Sequence, residues 1–511
     1  MVESPLVSSP PPPSAVDRLP VLLAICIFAA LSIATGFASE AFLEADACLH
    51  YLYSRFALAE PYRLVDVWGR PICTAYYALP AALAGRTGTR LASLVLAVAV
   101  AWVAMRIAKR QEHRWPALAL IFTLAQPMVF THSFSELTEL PFALMVGAAF
   151  LAYQARRFAV MSLIVAFMPL SRPEGFGFML MALAALLLHR RWASVLLLPV
   201  GMILWNHVGW ELFGRREAWW RWLPDHWPYA AASTYAPGHL LHFVAALPAV
   251  VSPMLFPATL AGIALCASAV LRGREGLHAF FRDHRQRCDL LIAAIPLSIL
   301  VVHSVLYWRG LMASNGELRY LLTVAPFWGV LSARGWAWAS DRLRVRHIYV
   351  WAAAACFVPV FLNAFAYTVL PLGLDDNWKT ARAVAAWVGE RQAGDSHPFI
   401  MASHPGIYYF LDVSPTNTSR VRDLNVATIT APPPGTRLIF DSLYATHNAD
   451  RGRVTTEADI LAAGWLPDAE VQGVIDEVAR AANGPTTAPM TGHRTGLATW
   501  RAFKSPQASG R

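Results

Sequence analysis

Residues 19–50 read LPVLLAICIFAALSIATGFASEAFLEADACLH, a charge-free stretch through Ser39 followed at once by Glu40, Glu44, Asp46 and His50. A helix needs about 20 apolar residues to cross the hydrocarbon core of a bilayer, and this stretch supplies them. No small-residue cleavage site follows, so the run at 18–38 reads as a retained first helix and not as a signal peptide. Working outward, comparable runs recur near 90–108, 116–131, 139–155, 158–171, 175–189, 192–213, 251–271, 289–308, 318–338 and 347–370. The composition agrees. Of 511 residues 56% are hydrophobic and 15% charged, whereas a soluble protein carries roughly 25% charged residues to coat its surface. An ordinary cytosolic enzyme, a disordered chain and a coiled coil are excluded. A polytopic α-helical membrane protein of about eleven transmembrane helices is expected.

The placement of charge then sets the orientation. The net charge is +9, but only three of the 42 basic residues are lysines (Lys109, Lys379, Lys504), and the arginines gather at the ends of apolar runs. Lys109/Arg110/Arg114, Arg156/Arg157, Arg190/Arg191, Arg272 through Arg287, and Arg342/Arg344/Arg346 form one set of connectors. They alternate with connectors that hold Glu136, Glu139, Arg172, Glu174, Glu217, Asp225 and Glu317. Arginines at span ends orient a membrane protein and touch anionic head groups, which places the basic set and the N-terminus in the cytoplasm and the C-terminus outside. No nucleic-acid partner is expected. Residues 72–85 are too short to cross and are interrupted by Pro80, so they read as an interfacial or re-entrant helix within a long first outer loop. The six cysteines show no CxxC spacing, so neither a zinc site nor a disulfide scaffold is expected. Cys48 and Cys73 read as two buried thiols before a disulfide.

Three domains follow. Residues 1–17, with the unbroken run Pro10 to Pro13, read as a disordered tail. Residues 18–370 are the transmembrane core. Residues 371–511 turn soluble in composition and read as a small extracytoplasmic α/β domain. Its signals are a helical pattern at Trp378–Arg391, strands at Phe399–Ala402 and Leu438–Asp441, a helix near Glu457–Ala463 and a strand at Leu497–Phe503.

An ionisable group at a membrane span costs about 2.5–3.5 kcal/mol on insertion scales, so charges near the outer helix ends need a reason. Four constellations qualify, all on one side. In Glu44-Ala45-Asp46, an interfacial helix over 42–58 puts Asp46, His50 and Tyr53 on one face, where Asp46 can take a proton from a hydroxyl beside His50. A plain acidic first turn, favoured by the helix dipole, is the other reading. His132, Glu136 and Glu139 recur at i, i+4 and i+7, a pattern suited to a metal or to sugar hydroxyls; Ser133-x-x-Glu136 is equally a capping box. Ser171-x-x-Glu174 is a second capping box, but Arg172 within it opposes the helix dipole. Either a phosphate or an outer-loop carboxylate would resolve that conflict. Finally Arg309 and Arg319 bracket a short outer loop and can converge on one anion, with a Glu317–Arg319 pair as the plainer alternative.

Taken in order, Glu44-Ala45-Asp46 continuing through Cys48-Leu49-His50-Tyr51, Trp68-Gly69-Arg70-Pro71, Ser135-Glu136 to Pro141, Arg172-Pro173-Glu174-Gly175 and Arg319-Tyr320 with Pro326 resemble the GT-C class of integral-membrane glycosyltransferases, in its bacterial and mannosyltransferase-like branches. The resemblance spans about residues 18–340. It implies transfer of one sugar from a polyprenyl-phosphate donor to a lipid, glycan or protein acceptor on the outer face of a bacterial inner membrane, with a hexosyltransferase, mannosyltransferases among them, as the expected class. The family's acidic residue in the first outer loop, acting as base or acceptor-orienting group, carries over to Asp46, with Glu44 as fallback. Glu-Ala-Asp stands here where many members have adjacent Asp-Glu or an Asp-x-Asp pair. The substrate-binding set expected around them is His50, Glu139, Arg172, Glu174, Arg309 and Arg319, with no metal and no cofactor assigned.

Two other classes fit less of the pattern. A secondary transporter would carry ionisable groups near the bilayer midplane in broken, repeated helices. A membrane-anchored assembly protein would leave the outer-loop charges unused. Within glycosyl transfer, a lipid-linked glycan ligase or polymerase is a further alternative.

Overall fold

Lipid offers no hydrogen bonds, so the apolar runs satisfy their backbone internally as α-helices. The computed structural model describes residues 15–228, 235–271, 283–344, 347–392, 399–417, 420–421, 424, 429–433, 435–446, 456–482 and 499–505. The expected N-terminal tail lies outside them up to residue 14, and helix α1 (Ala15–Ala38) starts within its last three positions. The helices that follow are α2 (Ala45–Phe56), α3 (Pro71–Arg110), α4 (Ala117–Leu124), α5 (Pro127–His132), α6 (Glu139–Gln154), α7 (Phe158–Phe167) and α8 (Gly175–Leu188). Next come α9 (Trp192–Val195), α10 (Val200–Leu212), α11 (Trp222–Asp225), α12 (His242–Val251), α13 (Phe256–Leu271), α14 (His284–Arg309), α15 (Ala325–Leu343) and α16 (Ile348–Tyr367). Leu180, Leu196, Val301 and Leu362 point outward and stay exposed, as lipid-facing side chains do.

The apolar runs form helices of unequal length. Among the described residues four helical segments are long and apolar enough to cross alone: Leu19–Ala38, Pro71–Arg110, Trp192–Leu212 and His284–Arg309. The run at 251–271 is instead part of a bent pair, α12 and α13, which meet at 111°. Several other runs are shorter helices, such as Glu139–Gln154 and Gly175–Leu188. Residues 72–85 do form a separate arm, but the break falls at Ala84 (φ −135°) and Gly85 (φ +56°), not at Pro80. The two arms of α3 come so close that a Cβ on Gly88 would stand 2.2 Å from the Pro80 carbonyl oxygen. Small residues also let α13 and α15 touch backbone to backbone: a Cβ on Gly262 would be 2.0 Å from the Leu331 oxygen, and one on Gly335 1.9 Å from that of Ala258.

At the outer end, the last carbonyls of α1 would be orphans in an apolar setting. Arg90 donates to the Gly36 and Ser39 oxygens and Arg86 to those of Glu40 and Ala41, cations placed where a helix C-terminus is negative.

The soluble part is a four-stranded sheet in the order β1-β2-β4-β3, formed by Ile400–Ala402, Arg437–Asp441, Trp500–Lys504 and Leu466–Pro467 respectively. β1 and β2 run parallel, and β4 is antiparallel to both β2 and β3. Side chains alternate between faces. Ile400, Ala402, Ile439, Trp500 and Ala502 pack toward α17 (Asp376–Gln392), α18 (Pro405–Phe410) and α21 (Ala469–Ala482). Met401, Leu438, Phe440 and Phe503 pack on the other side with Ile460 and Trp465, near α19 (Ser442–Thr446) and α20 (Glu457–Ala462). Residues 497–498 of the last expected strand lie outside the described set. The first of these two cores continues into Phe42, Ala47, Cys48, Tyr51 and Leu52, so the sheet domain rests on one face of α2.

Candidate active site

That packing holds α2 along one side and leaves its first turn facing the bundle. Glu44 occupies the position before the helix yet makes no cap hydrogen bond. Its carboxylate instead lies 3.0 Å from Nη1 of Arg319. Asp46 Oδ2 accepts from Nη2 of the same guanidinium at 2.8 Å. Arg319 is 9% exposed and sits in the 3-10 turn Leu318–Val324 that leads into α15. Its Nε lies 3.8 Å from Oε1 of Glu139, the first residue of α6, which is fully buried. Glu139 also accepts from Nη1 of Arg172. Arg172 donates further to Thr138 Oγ1 at 3.0 Å and, from Nε and Nη2, to Glu174 Oε1 at 3.0 and 2.8 Å. Acid and base therefore alternate without interruption from Asp46 through Arg319, Glu139 and Arg172 to Glu174.

Aromatic rings wall this chain. His303 stacks on Tyr320 with centroids 4.7 Å apart and brings Nε2 to 3.5 Å from Glu174. The Arg172 guanidinium lies 5.6 Å from the Tyr320 ring. His50, one turn after Asp46, stacks on Trp68 at 5.1 Å. Several buried polar atoms of the cluster make no hydrogen bond within the protein: Glu139 Oε2, Glu174 Oε2, Arg319 Nε, His132 Nε2 and His50 Nδ1. Native interiors rarely leave such atoms unsatisfied, and their convergence marks a place where a polar ligand belongs.

The two carboxylates on α2 are held in different states. Burial pushes Glu44 up to about 8, against the pull of Arg319. Burial acts on Asp46 too, but the Arg319 charge and hydrogen bond outweigh it and lower its pKa. Burial also brings His50 down to about 4, so it is a neutral ring at neutral pH. Side-chain exposures of 30% for Glu44 and 44% for Asp46 leave both able to exchange protons with the outside. Paired acids with opposed shifts are how a site keeps one group ionised while its neighbour holds a proton.

Of the residues expected from sequence, Asp46, Glu44, His50, Glu139, Arg172, Glu174 and Arg319 fall in this one cluster. Arg309 does not: it is exposed at the last turn of α14, over the Trp308 ring at 5.3 Å. Neither capping box forms. Ser133 Oγ donates to the Phe130 oxygen, and Glu136 accepts from Thr89 at 2.8 Å with Arg86 4.0 Å away. Ser171 faces the Cys73 thiol, while Glu174 turns to Arg172. His132 ends α5 before the chain turns into α6, so His132, Glu136 and Glu139 do not share a helix face as a ligand set would. Cys48 and Cys73 are both buried free thiols.

Sequence reading missed Arg70 and His303. Arg70 holds a left-handed backbone (φ +60°) just before Pro71, and its charge acts on both Asp46 and His50. His303 was findable, being the one ionisable side chain well inside the apolar run 289–308 other than Asp289 at its edge.

No protein-family model and no curated protein sequence matches this chain. Its structure matches solved ones. ArnT from Cupriavidus metallidurans, bound to undecaprenyl phosphate, is 13% identical, with a TM-score of 0.54 over 86% of this chain and 95% of that one. The same protein in the apo state gives 0.55 over the same shares at 13% identity. The Archaeoglobus fulgidus oligosaccharyltransferase tethered with an acceptor peptide is more distant, at 11% identity and a TM-score of 0.49 over 88% of this chain and 72% of that one. At this identity the likeness shows the fold alone: the chain has the fold of ArnT.

Proposed function

We propose that the chain moves a glycosyl group from a polyprenyl-phosphate donor to an acceptor hydroxyl at the outer face of a bacterial inner membrane. On this reading the N-terminus is cytoplasmic and the sheet domain extracytoplasmic. The observation that carries the proposal is the alternating chain from Asp46 to Arg172, assembled from residues up to 273 positions apart at one end of an apolar bundle. Asp46, ionised and reachable from outside, takes the proton of the acceptor hydroxyl. The acceptor oxygen attacks the anomeric carbon as its bond to the phosphate oxygen breaks, in one displacement that inverts the centre. The leaving phosphate carries its own charge, and Arg319 and Arg172 stabilise it, exchanging part of their carboxylate contacts for phosphate oxygens. No general acid is then needed. The fold shared with a protein solved with undecaprenyl phosphate supports a lipid-linked donor. No divalent metal is required by this scheme.

The test is to incubate the purified full-length protein with a panel of polyprenyl-phosphate sugars and acceptors and to follow release of polyprenyl phosphate. Turnover with at least one donor is expected, reduced about a hundredfold or more in Asp46→Asn, the scale of a lost general base. Wild-type turnover by a correctly inserted Asp46→Asn protein would remove Asp46 from the mechanism.

A further inference from the structure

A second polar recess lies at the other end of the bundle, remote from Arg319. The C-terminus of α3, the N-terminus of α14 and the second half of α15 meet there around a cavity of about 250 Å³. Its polar lining is Gln111, His113, Arg114, Trp115, Arg285, Arg334 and one carboxylate, Asp289. Three guanidiniums thus face one space. Each is paired with one carboxylate: Arg114 with Asp341 at 2.7 Å and Arg285 with Glu112 at 2.7 Å, both acids outside the lining, and Arg334 with Asp289 at 2.8 Å, within it, which leaves the lining a net positive charge. Arg114 also lies over the Trp115 ring at 4.5 Å. The Arg114 and Arg285 pairs have side chains half exposed or more, so water competes for them and a doubly hydrogen-bonding anion can displace the carboxylates. Lys109, Arg110, Arg342 and Arg344 add exposed positive charge around the mouth.

One more feature narrows the ligand. Gln111 stands against the Cys288 thiol, and its side-chain oxygen is buried with no hydrogen-bond donor. An anion alone would leave that acceptor unsatisfied; an anion that also carries hydroxyls would not. His113, brought down to about 4 by burial and by the Arg334 and Arg285 charges, stays neutral beside them. On α15, next to Arg334, Trp338 and Leu343 are exposed apolar side chains, which a head group's acyl chains can follow.

We infer that this recess binds the phosphodiester and glycerol hydroxyls of an anionic phospholipid head group, at the membrane surface opposite the Arg319 cluster. Basic pockets between transmembrane helices on that side are the usual seat of such head groups. The guanidiniums of Arg114, Arg285 and Arg334 take the phosphate oxygens, and the Gln111 oxygen accepts from a glycerol hydroxyl. A bound lipid then ties together three helix ends joined here by two exposed ion pairs and one half-buried pair.

The experiment measures thermal unfolding of the full-length protein in phosphatidylcholine vesicles with and without phosphatidylglycerol. Phosphatidylglycerol is expected to raise the midpoint by a few degrees, because it binds the folded state alone. The rise should vanish in Arg114→Gln/Arg285→Gln and persist in Lys109→Gln/Arg110→Gln, which removes the same charge from the neighbouring surface. Equal loss in both double variants would show surface attraction only, and no rise in the wild type would show no site; either overturns the inference. An equal rise from sn-glycerol 3-phosphate in phosphatidylcholine vesicles would assign the recess to a soluble phosphate and overturn the lipid. Neither double variant touches the Asp46 cluster, so transferase turnover in phosphatidylcholine stays at the wild-type level and the two proposals fail independently.

Discussion

Arg319 donates from Nη2 to Asp46 across 2.8 Å although 273 residues separate them in the chain. That bond fixes the start of α2 to the turn before α15 and keeps the proposed base ionised. It also gives Arg319 two duties, holding Asp46 and meeting the departing phosphate. Lysine, with one compact charge, cannot serve Glu44, Asp46 and Glu139 from fixed directions as a guanidinium does. Arg319→Lys is therefore expected to insert normally and to lower turnover by about 10²–10³, the scale of a lost charge-stabilising group. Initial rates with a saturating donor check this; retained turnover would take Arg319 out of the phosphate site.

Glu139 and Glu136 offer a contrast between two buried carboxylates only three residues apart. Glu139 joins Arg172 to Arg319, whereas Glu136 serves Thr89 and Arg86 under the end of α1. Removing one partner of a buried ion pair costs about 3–5 kcal/mol, because the other charge stays buried. Glu139→Gln and Glu136→Gln should both lower the unfolding midpoint in detergent. Only Glu139→Gln should also depress turnover in the protein that remains folded, since only it leaves Arg172 and Arg319 unlinked.

The acids on α2 predict a pH dependence with a definite sign. Asp46 is lowered from 3.8, so its ionised form persists in the folded state and the stability it contributes is lost only as pH falls through that depressed value. Turnover should therefore show no acid limb from this group near neutrality. Glu44 is raised from 4.5 to about 8, so the folded state retains a proton that the unfolded chain releases. Its contribution to stability is complete below 4.5 and falls away as pH rises toward 8. Above that, an ionised Glu44 holds Arg319 more tightly and competes with phosphate. A fall in rate above pH 8 that is absent in Glu44→Gln is the expected profile, read from rate against pH for the two proteins.

What sequence revealed, and what it did not, follows from the range of each interaction. Asp46, Glu139, Arg172 and Arg319 stood out because charges at the ends of apolar runs are costly wherever the partners lie. Arg309 carries the same local signature, but an arginine in a last helical turn is already satisfied by the dipole and by solvent, and nothing in its neighbours distinguishes the cases. The two Ser-x-x-Glu patterns promised caps; tertiary partners, Thr89 with Arg86 for Glu136 and Arg172 for Glu174, claimed the carboxylates instead. The bend between α12 and α13 was illegible for a related reason. Residues 251–271 have the composition of a span, and only the packing of Gly262 against Leu331 shows how closely a bent, broken segment is accommodated.

Arg63 connects the sheet domain to this site and gives the last prediction. It is 1% exposed, donates to Ser414 Oγ at 2.6 Å and to Thr416 Oγ1 at 2.5 Å, and is paired with Glu60 at 2.5 Å. Its guanidinium lies over the Tyr53 ring at 4.7 Å; Tyr53 meets Trp68 edge-on at 5.6 Å, and Trp68 stacks on His50. Residues 414–416 are thus coupled through packed rings to the helix that bears Asp46. Arg63→Met keeps the length of the side chain but leaves the half-buried Glu60 beside the hydroxyls of Tyr62, Ser414 and Thr416 with no cation, a loss felt locally because the sheet domain retains its own cores. Faster hydrogen exchange at 60–64 and 411–417, with unchanged exchange in β1 and β2, is the expected signature. If the rings transmit that loosening, Asp46 loses its fixed direction and kcat falls while donor KM, set by Arg172 and Arg319, holds. A rise in KM alone would place Arg63 in donor binding, and unchanged kinetics despite faster exchange would show that the sheet domain and Asp46 are mechanically independent.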